Sequence, residues 1–322
     1  MMKIVLIGCG QLGSRYLQSF LNPSYENFIQ ILEPNVLSRN NAENLVSNIL
    51  LNKNKYVFIN TIDEIIDNPE LIIIATSSDV RYKILKELIE KKTFSKIILE
   101  KVLFQKTEEY YNALELIEKN NIQCWVNHTR RMFPFYHKIK QILKGSRSLS
   151  FSINGGNWGM ACNALHFLDC IEFLTEETIE QIDCSLLNCK LYPSKRKDFF
   201  EINGKIIGRT KKSIFSLVCI EDFSPMSISI CTDKTNIIID EICNNYFLKE
   251  QNTEWNNFQC FQEKICYFQS ELGTMLLEDI LNNSCKLPLY KDSMRLHVQF
   301  IESLMEHINS FSVTKYSYCP IT

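Results

Sequence analysis

The sequence predicts an α/β chain in two parts, a doubly wound parallel sheet followed by an α+β domain. Three observations carry this. The first 126 residues alternate short apolar runs rich in β-branched side chains with longer stretches at helical spacing. A G-x-G-x-x-G stands directly after the first of those runs. Beyond Asn127 the alternation stops, and strand-like runs follow one another with turn-like links.

The strand candidates of the first part are KIVLIG (3–8), FIQILE (28–33), KYVFIN (55–60), LIIIAT (71–76), KIILEK (96–101) and IQCWVN (122–127). Helical spacing lies between them near 12–22, 36–49, 61–67, 78–91 and 107–119. Near-continuous apolar strands alternating with helices are buried on both faces, because right-handed crossovers lay the helices over a parallel sheet. In the second part a helix is expected within 131–144, with Met132, Phe133, Phe135, Ile139, Ile142 and Leu143 on its apolar side. Pro134 confines its start to about 134. Next come the strand SLSFSI (148–153), a helix through about 174, and strand-like runs at 180–187, 199–207, 213–220, 226–232 and 236–241. Links such as INGK (202–205) and EDFSP (221–225) predict mainly antiparallel pairing. Two long helices, at about 260–282 and 292–309, complete the pattern.

At 322 residues the chain exceeds what one hydrophobic core usually serves, so two domains are expected, 1–126 and 127–322. A net charge of −2 leaves no electrostatic footprint for nucleic acid or an anionic membrane. A small, roughly neutral partner is expected instead. The first apolar run is only about five residues and ends in glycines, unlike an export signal, and no segment approaches the ~18 apolar residues of a membrane span. The thirteen cysteines are scattered, odd in number and never in C-x-x-C spacing, so free thiols and a cytoplasmic setting are expected. No H-E-x-x-H, paired C-x-x-C or EF-hand loop is present, and no metal site is expected.

GCGQLG, residues 8–13, ends the first strand and opens the first helix. Gly8 makes a tight turn, Gly10 lets a pyrophosphate approach the backbone, and Gly13 lets the helix pack on the strand. Gln11 and Leu12 fall in the first helical turn, whose unpaired N–H groups face the phosphates. This makes 1–126 a Rossmann domain for a dinucleotide. Glu33, twenty residues past Gly13, is placed to accept from the adenosine ribose hydroxyls, which favours NAD over NADP. Arg39 reads either as a partner for a 2′-phosphate or as a solvated helix residue. Ala75, Thr76 and Ser77 end the fourth strand at the carboxyl edge, where the dinucleotide is expected to lie. Helix capping by Ser77 or Ser78 explains the same letters.

One further stretch, GGNWGMACNALHFLDC (155–170), puts His166 on an apolar helix, where a histidine is as readily a core residue as a catalyst. Three features bear on it in order along the chain: Glu100-Lys101 after the fifth strand, NHTRRMFPFY at 127–136, and the G-G…H-x-x-D pattern ending in His166 and Asp169. In these the chain resembles the glucose-fructose oxidoreductase and inositol dehydrogenase (Gfo/Idh/MocA) family, over nearly its whole length and most strongly in residues 1–175. The resemblance implies an NAD(P)-dependent oxidoreductase. It also implies that the second domain binds substrate and carries a large open sheet that packs against another subunit, giving a homodimer or homotetramer. Glu100 and Lys101 match the family's Glu-Lys-Pro motif, with Val102 in place of the proline. The matching lysine stands beside nicotinamide and substrate, where partial desolvation lowers its pKa and lets it donate to the substrate oxygen. His166 and Asp169 match the catalytic stretch, while Cys162 stands where the family has an aspartate. A sub-group patterned G-N-W-G-x-x-C-N-x-x-H, associated with bacterial surface-polysaccharide biosynthesis, is similar in this stretch.

On this reading hydride passes to or from a sugar or sugar-derived secondary alcohol or ketone, with Lys101, His166 and Asp169 as catalytic residues. Asn127, Arg130 and Arg131 would bind substrate hydroxyls or an anionic group, the arginines alternatively tying the domains together. Asn157, Trp158 and Asn163 would shape a sugar pocket, since a ring face suits an aromatic and hydroxyls suit amides. His128, His137, His297 and His307 read as structural. Val102 and Cys162 favour an alternative, a dinucleotide-binding sensor or non-catalytic partner subunit. A reductase of C=C or C=N bonds is the third reading open to this fold.

Overall fold

The structure, a computed structural model, describes residues 1–21, 26–47 and 54–322. In the first part the elements are β1 (Met2–Ile7), α1 (Gln11–Phe20), β2 (Asn27–Leu32), α2 (Val36–Ser47), β3 (Lys55–Ile59), β4 (Leu71–Ile74), α3 (Ser78–Lys91), β5 (Lys96–Leu99), α4 (Thr107–Lys119) and β6 (Gln123–Val126). The predicted helix ends at 22 and 48–49 lie outside the described residues. Where a helix is expected at 61–67 there is one 3₁₀ turn, Ile62–Glu64. A Thr61–Glu64 capping box starts it, but Ile65 turns extended at ψ 132° and Asn68, ahead of Pro69, takes φ 49°. A residue before proline is disfavoured in helical conformation, so Asn68 does not resume a helix.

In the second part the elements are α5 (Pro134–Leu143), β7 (Leu149–Gly156), α6 (Met160–Thr175), β8 (Ile179–Pro193), β9 (Phe200–Thr210), β10 (Ile214–Ile220), β11 (Ser224–Thr232), β12 (Thr235–Asp240), β13 (Asn245–Glu250), β14 (Gln259–Gln262), α7 (Gln269–Leu281) and α8 (Tyr290–Phe311). Pro134 occupies the first turn of α5, the one place in a helix where its missing N–H costs nothing.

The chain divides into two compact units. The first comprises Met1–Met132, Tyr267–Met294 and Thr322, and the second Phe133–Cys266 and Arg295–Ile321. The units therefore do not follow a single cut at 126/127. Residues 267–294 return to the first unit, because α7 packs on α1 and the segment after it pairs Leu289 with Trp125.

In the first unit six parallel strands run in the order β3-β2-β1-β4-β5-β6. Strand order reverses between β1 and β4, which makes the carboxyl ends of those strands the switch point where open α/β sheets bind ligands. Ile4, Leu6, Ile72, Ile73, Ile97 and Ile98 are fully buried, as strands covered on both faces must be.

In the second unit eight strands run β14-β13-β12-β11-β7-β10-β9-β8, and all pairs are antiparallel except β7 with β10. Leu149, Phe151, Ile153, Ile228, Ile230, Ile237 and Ile239 are buried on one face. Ser150, Ser152, Ser216, Asp183, Lys205 and Arg209 line a depression of about 450 Å³ on the sheet.

Three expectations are corrected here. INGK is not a turn but lies inside β9, where Gly204 takes φ +122° beside a register shift in the pairing with β8. Asn-Gly reads as a hairpin signal, yet here partners on both sides keep the strand extended through a bulge. Residues 221–223 join β10 to β11 not as a hairpin but across β7, which lies between them. The helix expected from 260 begins only at Gln269, because 259–262 pair with β13. In β13 itself the alternation of buried Tyr246 and Leu248 is masked in sequence by Phe247 between them.

Gly208 in β9 tests this packing. A Cβ there would lie 2.2 Å from the Gln181 carbonyl and 2.3 Å from the Phe215 ring. Gly208→Ala is expected to cost about 1–3 kcal/mol of stability, the usual range for overpacking, read from chemical denaturation.

Candidate functional site

In the first unit, β1 hands the chain to Gly8, which takes φ +86° and donates to the Leu32 carbonyl at 2.8 Å. A Cβ on Gly8 would lie 2.8 Å from Thr76 Cγ2, and one on Gly13 only 1.9 Å from the Gly8 carbonyl oxygen. Both glycines are therefore demanded by packing. At Gly10 nothing lies within 4 Å of the Cβ position, so the backbone there is open to a ligand. Gly10 caps α1 without a side-chain hydrogen bond, and the first turn holds no acidic residue. The N–H groups of that turn, around Gln11 and Leu12, and the positive end of the helix are left for an anion.

Glu33 is buried beside this loop, its Oε2 accepting from Cys9 N–H at 2.5 Å and its Oε1 from Asn35 N–H at 2.8 Å. Burial and the Glu33 charge push the Cys9 thiol up to about 12, so it stays neutral inside the loop. Arg39 is tied to Glu43 at 3.0 Å and Asn60 at 2.7 Å, with its guanidinium 5.5 Å from the Phe58 ring. Val36 and Leu37, passed over in the sequence, stand 71% exposed at the start of α2.

At the carboxyl edge three backbone bonds continue the sheet one residue beyond its strands: Ala75 N–H to Ile7, Glu100 N–H to Ile74, and Asn127 N–H to Leu99. They align Ala75, Glu100 and Asn127 in one row, with Thr76, Lys101 and His128 next along each segment. Ser77 is the N-cap of α3, but its hydroxyl makes no capping bond. Glu100, 2% exposed, accepts at Oε1 from Tyr16 Oη and from Asn127 Nδ2, both at 2.6 Å. Asn127 Nδ2 also reaches Gln269 Oε1 at 2.9 Å. Burial raises the Glu100 carboxyl above the usual range, against those donors and the charges of Arg81 and Lys101. Burial and Glu100 push the Tyr16 hydroxyl far up in turn.

Lys101 is 9% exposed, and the Lys101–Val102 peptide is cis. Arg81, 1% exposed, donates to the carbonyls of Thr76, Val102 and Leu103. His128 is fully buried with Nε2 2.9 Å from Ser293 Oγ, and burial together with Arg131, Lys101 and Arg130 holds its pKa well below the ordinary value. Arg130 and Arg131 are half-buried in the 3₁₀ turn Thr129–Met132. Thr76 Oγ1 and Asn127 Oδ1 are buried without a hydrogen-bond partner. Two orphaned polar atoms along this edge, with the open Gly10, fit a dinucleotide that brings polar groups of its own.

In the second unit, β7 ends in Gly155-Gly156, where a Cβ on Gly156 would lie 1.8 Å from the Asp222 carbonyl. Asn157 (φ 50°) and Gly159 (φ 71°) then turn the chain into α6. Trp158 Nε1 donates to the Val218 carbonyl at 2.9 Å, its ring edge-on to Phe167, and Asn163 Nδ2 donates to the Trp158 carbonyl at 2.9 Å. Asn157 is exposed, whereas Cys162, Asn163 and His166 are half-buried at i, i+1 and i+4 on one face of α6. Asp169 is 1% exposed and adds to the upward push on the Glu172 carboxyl, which burial dominates. Glu201, from β9, accepts from Ala161 N–H at 2.9 Å and Cys162 N–H at 3.4 Å, putting a carboxylate on the first turn of α6.

Sequence reasoning missed Tyr16, Arg81, Gln269 and Glu201. Arg81 left a signal, since it falls on the buried stripe of α3 with Ser78, Leu85 and Leu88. Gln269 lies 142 residues from Asn127 and left none. Among the described residues no group of three His, Cys, Asp or Glu is placed to hold a metal ion, and no helix is long and apolar enough to cross a membrane.

Residues 2–128 match the pattern of the Gfo/Idh/MocA oxidoreductase family, NAD-binding Rossmann fold. Over this domain the chain is similar to that family and has its NAD-binding Rossmann fold. Comparison with curated proteins finds no match. Among solved structures, the dehydrogenase MviM from Clostridium difficile is 17% identical, covers 95% of this chain and 99% of its own, and superposes with a TM-score of 0.72. UDP-N-acetylglucosamine 3-dehydrogenase from Acidithiobacillus ferrooxidans is 11% identical, with 96% and 98% covered and a TM-score of 0.71. The transcriptional regulator Gal80p from Kluyveromyces lactis is 13% identical, with 98% and 94% covered and a TM-score of 0.74. At these identities the likeness shows the fold.

The neighbouring Glu100 and His128 make opposite predictions for stability against pH. A carboxyl with a raised folded pKa contributes stability in acid that is lost as pH climbs through that value, so Glu100→Gln should flatten the alkaline-side loss. An imidazole with a lowered folded pKa contributes stability above its ordinary value of 6.5 that is lost as pH falls below it, so His128→Gln should flatten the acid side. Urea midpoints across about pH 5 to 8 check both.

Proposed function

We propose that the chain is an NAD-dependent oxidoreductase moving hydride between a nicotinamide and a secondary alcohol or ketone of a sugar-like molecule. The observation that carries this is the open backbone at Gly10, held at the bare N-terminus of α1 by two glycines that tolerate no side chain. The loop of residues 8–13 and α1 would hold the pyrophosphate, and Glu33 the adenosine ribose. A fixed carboxylate there disfavours a 2′-phosphate, and Arg39, occupied by Glu43 and Asn60, is not spent on one. Ala75, Thr76, Ser77 and the Glu100-Lys101 segment would flank the nicotinamide end.

When bound, the nicotinamide supplies the hydride acceptor or donor. Lys101 donates a hydrogen bond to the substrate oxygen, and His166 takes the proton from that oxygen in oxidation and returns it in reduction. Asp169, three residues on and buried, is assigned to support His166. From the first unit Asn127, Arg130 and Arg131, and from the second Asn157, Trp158 and Asn163, are assigned to substrate hydroxyls and the ring face. The sugar class is supported by the UDP-N-acetylglucosamine 3-dehydrogenase among the proteins of this fold. The depression on the eight-stranded sheet is assigned to a second copy of the chain, and a reducing cytoplasmic setting suits thirteen free thiols.

A second reading, a dinucleotide-binding sensor, is favoured by Cys162 and Val102, which replace the family's aspartate and proline, and by a transcriptional regulator of the same fold. Fluorescence titration with NADH and NADPH, followed by turnover on a panel of sugars and nucleotide sugars, separates the readings. Binding with turnover supports the enzyme, binding without turnover supports the sensor, and no binding of either dinucleotide sinks both. Given turnover, Lys101→Met and His166→Asn should each lower kcat by about 100-fold or more, the scale of a lost acid–base group, with NADH affinity nearly unchanged. Glu33→Ala should narrow the preference for NADH over NADPH in the same titration.

A further inference from the structure

We infer that Arg81 is a positioning residue that fixes the backbone on which Lys101 stands. The reading of Lys101 as a site residue rests on the proposed function; the clamp itself does not. Arg81 lies one turn into α3, and helical side chains lean back toward the N-terminus of their helix. Its guanidinium thereby reaches the Thr76 carbonyl, which precedes α3, and the Val102 and Leu103 carbonyls, which follow β5. A planar group with five donors in a fixed fork spans three acceptors on two segments; a lysine ammonium has no such reach.

The contact is costly in isolation, because Arg81 is 1% exposed on a stripe otherwise filled by Leu85 and Leu88. An apolar residue would fill that volume without burying a charge. What offsets the cost is the set of three carbonyls that the guanidinium binds. What the arginine gains for the site is a brace across the carboxyl edge, tying the segment that carries Thr76 to the one that carries Lys101. Val102 leaves its own φ free where a proline would fix it, and the grip on its carbonyl restrains the same segment from outside. The backbone segments that carry Thr76 and Lys101 are thus braced against each other.

The test reads Lys101 directly and needs no substrate. Wild type, Arg81→Ala and Arg81→Lys are labelled briefly with acetic anhydride, and acetylation of each lysine is followed by peptide mass spectrometry alongside thermal melting. A released 101–103 segment should raise the Lys101 rate in Arg81→Ala by about tenfold, corresponding to a modest local opening, while exposed lysines such as Lys55 and Lys119 keep theirs. Millimolar guanidinium ion should restore protection in Arg81→Ala, and Arg81→Lys should protect only in part. An unchanged Lys101 rate in Arg81→Ala overturns the inference. So does a rise shared by all lysines, or full protection in Arg81→Lys, which decides the matter if Arg81→Ala does not fold. Because the labelling is done without cofactor, a failure of wild type to bind NADH would sink the proposed function and leave this result readable.

Discussion

A carboxylate buried at the end of a strand must have its lone pairs filled or stay protonated, and Glu100 meets that demand with partners drawn from across the first unit. Tyr16 reaches it from α1 and Asn127 from the end of β6, while Arg81 and Lys101 supply the balancing charge. Through Asn127 the same network takes in Gln269, at the start of α7, 142 residues further along the chain. The carboxyl edge is thereby held by polar bonds above the buried apolar strands β1 and β4. Those bonds fix Glu100 and Asn127 in one row, one residue short of Thr76 and Lys101.

The loop after β1 is shaped by a different constraint, the approach of backbone to backbone. Gly13 packs so closely on the Gly8 carbonyl that no Cβ fits, and this fixes the direction in which α1 leaves the sheet. The helix end is then aimed with no flexible side chain involved. Gly10 pays no such packing debt, and its freedom is what gives the loop a use. Glu33, accepting from the Cys9 and Asn35 N–H groups, locks the loop to the end of β2. A thiol in the middle of this arrangement is kept unreactive by the same burial and the same charge.

The first unit was legible because its signals are local. Apolar runs bounded by glycine and polar turns place each strand to within about two residues, as in LIIIAT read for Leu71–Ile74. The loop glycines are readable for the same reason, since each answers to a neighbour a few residues away or at a strand end. The second unit was less legible, because long strands there are decided by their partners. INGK carries turn residues and is nevertheless a strand, since β8 and β10 pair with it on either side. The stretch from 259 has apolar spacing of both periods, and only pairing with β13 makes its start a strand. At the site, residues named by motif were visible, whereas Tyr16, Gln269 and Glu201 act through contacts that pair distant segments. Arg81 is the intermediate case, visible as a charge on an apolar stripe but readable only once its three carbonyls are placed.

The fold itself does not separate catalyst from sensor, since function lives in the site. What bears on the choice is the charge around α6. Glu201 brings a carboxylate from β9 to the first turn of that helix and accepts from the Ala161 and Cys162 N–H groups. The N-terminal end of a helix favours a negative charge placed there. His166 sits one turn further on, half-buried on the same face as Cys162 and Asn163. A carboxylate on the first turn of this helix is thus supplied from a neighbouring strand.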